Sequence, residues 1–341
     1  MSANLLDRMR TGLLTQRKNL EDWLNKAPET TKKVRLGPQN EALLEKHLKT
    51  IDTAIEKTQD QTLGLCDVCH DYLEPERLEM DYTACVCLEH MTGEQKSRLE
   101  EELELSQKVQ KALLPHKIPN IPGLQLAVYS QPAQIVGGDY FDFFEHHGDT
   151  FGFAIGDVMG KGMPASLLMA NLQASLRILV QEHEKPERVM DRLNCLFVHN
   201  IRLTKFVTLF IAQYDTRHRM LTYSNAGHNP PLWMRRDPKG GSVTWLRPTG
   251  AAVGLIEDAK FRSETIQMQS GDLLVFYTDG VTETQNSIQE EFGDERLLEI
   301  TQANRDRSPA EIVKVIRESI RTFAGNDNRA DDTTIMAAKI N

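Results

Sequence analysis

From residue 4 to 25, and again from 38 to 60, apolar positions recur three and four apart among charged ones, as at Leu43, Leu44, Leu48, Ile51 and Ile55. That period predicts two helices. The stretch between them, KAPETTKKVRLGP, carries two prolines and one glycine and reads as the bend of a helical hairpin. A third helical pattern, TGEQKSRLEEELELSQKVQKALLP, opens on a threonine able to cap it and stops at Pro115. Within it Leu99, Leu103, Ser106, Gln110 and Leu113 alternate at four and three residues, with Leu105, Val109 and Ala112 alongside. Such a stripe suits a short coiled coil between subunits and an amphipathic connector packed on its own domain equally well.

Past the joint KIPNIPG the texture changes. LQLAVYSQ, DYFDFF, FGFAIGDV, FVTLFIAQYD, MLTYSNAG, GDLLVFYTDG and TTIMAAKI each read as a strand bounded by turn residues. Helical stretches near 164 to 183, 186 to 203 and 308 to 324 interrupt them. Strands and helices come in groups, which favours an α+β layered sandwich over a doubly wound parallel sheet.

Composition narrows the class. The 341 residues, 40% of them hydrophobic, can bury a sizeable core and suggest two or three units. No uninterrupted apolar run approaches the roughly 18 residues that span a bilayer. MSANLLDRMRTGLL is broken by Asp7, Arg8 and Arg10, so neither export nor a membrane is expected and the cytoplasm is the expected compartment. The net charge of −9 argues against broad attraction to nucleic acid, and direct nucleic-acid binding is not expected. Four of the five cysteines cluster between residues 66 and 87, which suits a metal site better than a disulfide framework. The fifth, Cys195, lies in an apolar helical stretch and reads as a core residue.

The candidate chemistry lies in where the aspartates fall. Asp139 ends VGGD, Asp157 ends a strand in AIGDVMGKG, Asp279 ends another in LLVFYTDG, and Asp331 and Asp332 precede the last strand in ADDTTI. Carboxylates brought together repel unless a cation neutralises them, and hard oxygen ligands select Mg²⁺ or Mn²⁺. Two such ions sharing a carboxylate can activate water for attack on a phosphoryl group. Asp-Gly is also the commonest turn dipeptide, so spacing alone leaves a metal site and a set of turns in balance.

IVGGDYFDFF, FAIGDVMGKGMPASLLMANLQASLR, YSNAGHNPPLW, SGDLLVFYTDGVTETQN and ADDTTI, in this order, resemble the SpoIIE/RsbU-type members of the metal-dependent protein phosphatase (PPM) family, over residues 105 to 341. The resemblance implies an αββα sandwich of two packed sheets flanked by helices, in a domain placed at 117–341. It implies hydrolysis of phosphoserine or phosphothreonine on a protein by metal-activated water, with two Mn²⁺ or Mg²⁺ ions and no phosphoenzyme. Asp157 would bridge the ions with the Val158 carbonyl beside it, Asp279 and Asp331 would bind the first, and Asp139 would serve the second. Asp332 and Asp142 are weaker candidates. Gly137, Gly138, Gly160 and Gly162 would let backbone approach the site. Met159 stands where many eukaryotic relatives carry a histidine that protonates the leaving group, which leaves Lys161 or water for that task. His228 reads as a loop-organising residue. The substrates the family suggests include a phosphorylated anti-sigma-factor antagonist in bacterial partner switching.

The thiol segment CDVCHDYLEPERLEMDYTACVCLEH allows two ligand sets. Four cysteines give CxxC and a cramped CxC, whereas Cys66, Cys69, Cys87 and His90 give CxxC and CxxH, a zinc-ribbon-like spacing with soft ligands suited to Zn²⁺. The second set is the better one, with Cys85 as its rival. Residues 38 to 92 are similar to the DksA/TraR-type zinc finger, in which a helical hairpin leads into the finger. The expected organisation is therefore a hairpin at 1–62, a zinc finger at 63–92 and a linker helix at 93–116, through which a homodimer could form. A closed four-ligand site makes that zinc structural and the module regulatory. The same resemblance raises RNA polymerase as a partner, although the bend here is mostly basic where that family uses acidic residues. The competing reading is thus a polymerase-associated binding protein with a non-catalytic phosphatase scaffold.

Overall fold

The computed structural model describes residues 3–26, 41–74, 78, 83–146, 148–183, 185–200, 206–236, 242–325 and 331–341. From residue 27 onward the predicted hairpin bend lies outside them. The chain divides into two compact units, Met1–Glu102 and Leu103–Asn341.

In the first unit α1 (Ala3–Lys26) and α2 (Glu41–Gln59) pack together. Met9 and Leu13 of α1 are buried with Ile51, Ala54 and Ile55 of α2, and the same small core takes in Leu63, Cys66, Leu73 and Cys87. Arg17 of α1 donates to Asp52 of α2.

Helix α3 (Gly93–Leu113) starts with a reciprocal cap: Gln95 N donates to Thr92 Oγ1 at 3.2 Å and Thr92 N to Gln95 Oε1 at 2.9 Å. Its C-terminal half belongs to the second unit. Gln110 is buried, while Leu105 and Val109 are 62% and 53% exposed.

The second unit is a sandwich of two antiparallel five-stranded sheets. The first holds β1 (Leu124–Gln131), β10 (Thr333–Ile340), β9 (Leu273–Tyr277), β6 (Leu232–Met234) and β7 (Val243–Trp245), in that order. The second runs β2 (Tyr140–Glu145), β3 (Thr150–Val158), β4 (Val207–Asp215), β5 (Met220–Ala226) and β8 (Glu264–Gln267).

Side-chain alternation divides the strands between layers. Phe153, Ile155, Phe210, Phe276 and Met336 meet between the sheets. Their neighbours Ala154, Leu209 and Ile211 face outward onto α4 (Gly162–Glu182) and α5 (Pro186–Asn200), against Met169, Leu172, Leu193 and Phe197. On the other side Val275, Tyr277, Ile335 and Ala337 face α7 (Gly293–Ala303) and α8 (Pro309–Ala324). Both faces of each sheet are covered, giving the expected α+β sandwich. Helix α4 is long and apolar enough by composition to cross a membrane, yet Met169, Leu172 and Leu176 are fully buried in this core.

Candidate active site

Strand register brings the aspartates to one end of the sandwich. Tyr140 of β2 pairs with Gly156 of β3, so Asp139 and Asp157 lie next to each other past that pair. In the other sheet Tyr277 pairs with Ile335 and Thr278 N donates to Thr334 O, which sets Asp279 and the Asp331–Asp332 pair beyond the same strand ends. Asp279 does not end a strand as expected. It opens a single helical turn, α6 (Asp279–Thr282), because Glu283 N returns to its carbonyl at 2.7 Å. The sheets are joined at the site by two buried hydroxyls: Thr278 Oγ1 and Thr334 Oγ1 donate to Asp139 Oδ2 at 2.8 and 2.6 Å.

The electrostatics are those of crowded acids. Burial raises Asp139 well above the usual carboxylate range, and Asp157 adds to it. Asp157 is pushed up to about 8 by burial first and then by Asp279, Asp331, Asp332 and Glu283. Asp279 rises to about 6, again by burial, then by Asp331 and Glu283. With cations chelated, these groups hold protons in the folded chain that the unfolded chain has already released. The cluster is therefore tolerated at low pH and costs stability as pH rises from about 4 through about 8, by a few kcal/mol in all. Urea unfolding in chelator at about pH 5.5 and about pH 8 should show a larger loss for the unaltered chain than for Asp157→Asn. Equal losses would remove the repulsion.

Two observations fit this end of the sandwich to cations. Asp139 Oδ1 is buried with no hydrogen-bond partner among the described residues, an acceptor left for a positive ligand or its water. A Cβ on Gly138 would lie 2.7 Å from the Val158 carbonyl oxygen and 3.4 Å from Asp157 Oδ1, so the absence of a side chain keeps both oxygens clear. The preceding turn is held from outside: Gln110 of α3 donates to Gly137 O at 2.6 Å and accepts from Gly137 N at 3.1 Å.

The other candidates fall elsewhere. Asp332 accepts from Ala133 N at 2.7 Å and Gly138 N at 2.6 Å, and so braces the glycine turn. Asp142 is buried and clasped by Arg177, Nε to Oδ2 at 2.9 Å and Nη2 to Oδ1 at 3.0 Å, with Tyr140 donating as well. It is a structural ion pair. Arg177→Ala is expected to cost about 2 kcal/mol in urea unfolding by stranding that carboxylate, with Mn²⁺ binding unchanged. Weakened Mn²⁺ binding would return Asp142 to the site. His228 has Nδ1 3.0 Å from Thr208 Oγ1, and its backbone is tied to Asn225. Burial lowers it to about 3, so it stays neutral and organises its loop. Cys195 is exposed, not core, because the buried face of α5 carries Val189, Met190, Leu193 and Phe197.

Sequence reasoning missed Thr278, Thr334 and Glu283. The threonines had a faint signal, standing beside the acids in YTDG and DDTT.

A second constellation lies in the first unit. The ligand atoms of Cys66, Cys69, Cys87 and His90 all fall within 4.8 Å of one another. Cys69 and Cys87 sulfurs are 3.8 Å apart, and Cys87 Sγ is 3.1 Å from His90 Nδ1. Bonds of about 2.3 Å to a tetrahedral ion separate two sulfurs by roughly 3.8 Å. Burial disfavours the Cys66 thiolate, but backbone N–H groups including those of Cys87 and Val68 outweigh it and lower that thiol to about 6. Cys85 is exposed outside the set. The short 3-10 turn Leu88–His90 brings the imidazole back to Cys87.

The family model described as Stage II sporulation protein E (SpoIIE) matches residues 147–341. The phosphoserine phosphatase RsbU of Bacillus subtilis (strain 168) is 31% identical over 243 residues, covering 71% of each chain. Protein IcfG of Synechocystis is 28% identical over 69% of this chain, which spans only 41% of that relative's length. Among solved structures, the SiaA-PP2C domain of Pseudomonas aeruginosa superposes with a TM-score of 0.65 at 19% identity, over 74% of this chain and all of that one. The RsbU and RsbW domains of a Mycobacterium tuberculosis protein give 0.57 at 25% identity, over 65% of this chain and 62% of theirs.

Proposed function

The chain belongs to the SpoIIE family of protein serine/threonine phosphatases, and from that premise we propose that it hydrolyses phosphoserine or phosphothreonine on a protein with two divalent cations, Mn²⁺ or Mg²⁺. The observation that carries the metal reading is the buried, unpartnered Asp139 Oδ1 within a group of mutually repelling carboxylates. Asp157 with the Val158 carbonyl would lie between the ions, Asp279 and Asp331 would hold one, and Asp139 the other. When bound, the cations supply an activated water and neutralise the phosphoryl oxygens.

The chain's own residues prepare that chemistry. Thr278 and Thr334 fix one oxygen of Asp139 and leave the other open to a cation. Asp332 and Gln110 hold the Gly137–Gly138 turn from two directions. Met159 has no proton to give and His228 is neutral and buried, so the leaving oxygen takes its proton from water or from Lys161. Phosphate release from a phosphoserine protein, measured with Mn²⁺ and with chelator, tests this. Equal release under both conditions rules out the metal mechanism.

A phosphorylated anti-sigma-factor antagonist is the proposed substrate, on the likeness to RsbU, and recovery of that phosphoprotein with a metal-site variant tests it. The exposed Leu105 and Val109 support a homodimer through α3, which a monomer in sedimentation at micromolar concentration would remove. Zn²⁺ on Cys66, Cys69, Cys87 and His90 is proposed to hold a regulatory N-terminal module of DksA/TraR type, supported by the tetrahedral spacing of the ligand atoms.

A further inference from the structure

We infer that Lys161 is a tethered occupant of the Asp279–Asp331 end of the acid group, an ammonium that a divalent cation has to displace. The inference rests on the two-cation reading and concerns how that site is filled. Lys161 Nζ lies 2.8 Å from Asp331 Oδ2, with the two side chains 43% and 28% exposed. Its charge also favours the ionised form of Asp279, whereas the groups acting most strongly on Asp157 and Asp139 are other carboxylates and burial. The ammonium therefore serves one end of the group.

The backbone sets this up. Lys161 is the residue just before α4, between Gly160 at φ 105° and Gly162 at φ 65°, and its own side chain makes no cap bond to the helix. Both glycines have the positive φ that side chains rarely adopt, so bulkier residues on either side of Lys161 would strain the loop. A compact ammonium on a four-carbon stem then reaches the carboxylates from this loop and can leave without moving backbone.

Three roles for this contact differ in sign. An ordinary half-exposed ion pair has little effect on cation binding when removed, and a residue that orients Asp331 as a ligand weakens it when removed. A competitor strengthens it, because a positive charge and its hold on Asp331 both disappear.

The test is calorimetric titration of Mn²⁺ alone into the full chain, with Lys161→Met and Lys161→Gln beside the unaltered protein. Both variants are expected to bind Mn²⁺ roughly threefold to tenfold more tightly. The gain should shrink when either change is made together with Asp331→Asn, because only the charge effect at Asp279 is then left. Equal or weaker binding by the variants overturns the inference and leaves the two-cation reading in place. Absence of Mn²⁺ binding by the unaltered chain overturns both.

Discussion

Asp157→Asn is expected to lower Mn²⁺-dependent phosphate release by about a thousandfold or more, while the metal-free protein melts at or above the temperature of the unaltered chain. Both halves follow from the same crowding. The Asp157 carboxyl stands up near 8 because it is buried and faces Asp279, Asp331, Asp332 and Glu283. An amide keeps the shape of that side chain and removes its charge. Repulsion inside the metal-free fold falls, and with it the charge that would lie between two cations. Strand β3 is untouched, since its pairing of Asp157 with Thr208 is a backbone matter. A purely structural Asp157 would behave differently, with a lower melting temperature and unchanged turnover per folded molecule. Near-normal turnover with Mn²⁺ would remove Asp157 from the cation site.

If the thiol site holds zinc as proposed, stripping the ion is expected to unfold the thiol-bearing part of the first unit while the sandwich stays folded. The core around Leu63, Cys66, Leu73 and Cys87 is too small to stand by apolar burial alone. Structural zinc contributes on the order of 10 kcal/mol in such modules, which is more than that core can replace. The full chain should carry one zinc by elemental analysis and lose it in the Cys66→Ser/Cys69→Ser double variant. Amide exchange along α2 and residues 63–73 should then approach that of an unfolded chain, with β3 and β4 still protected. Cys85→Ser should keep its zinc. Loss of zinc in Cys85→Ser, or full protection of α2 in the double variant, would break the assignment.

Much of this arrangement was legible in the sequence for one reason. Strands covered on both faces need apolar residues at nearly every position, so β3, β4, β9 and β10 stood out as runs. Strands β6 and β7 are three residues each, and β8, ETIQ, is a polar edge; none offers a run to detect. Helix α7 follows a glycine turn in a charged stretch, and its two buried residues, Leu297 and Thr301, make too thin a stripe to read. The acids themselves were visible because a strand end does not require an aspartate for burial. Their supports were not. What Gln110, Thr278 and Thr334 do depends on which backbone and which carboxylate they meet, and no local pattern encodes that. Cys195 misled for a related reason, since helical phase rather than the apolarity of its neighbours decides which way it faces.

The two hydroxyls on Asp139 have a consequence for the order of folding. Thr334 reaches that carboxylate from 195 positions away, on a strand that slots between β1 and β9. Closing so long a loop is entropically slow, and inserting a strand between two others requires both to be in place. The full clasp on Asp139 Oδ2 thus forms only when that long-range pairing closes. Until β10 is in place Asp139 has at most the Thr278 hydroxyl, and its second support arrives only with the completed sheet.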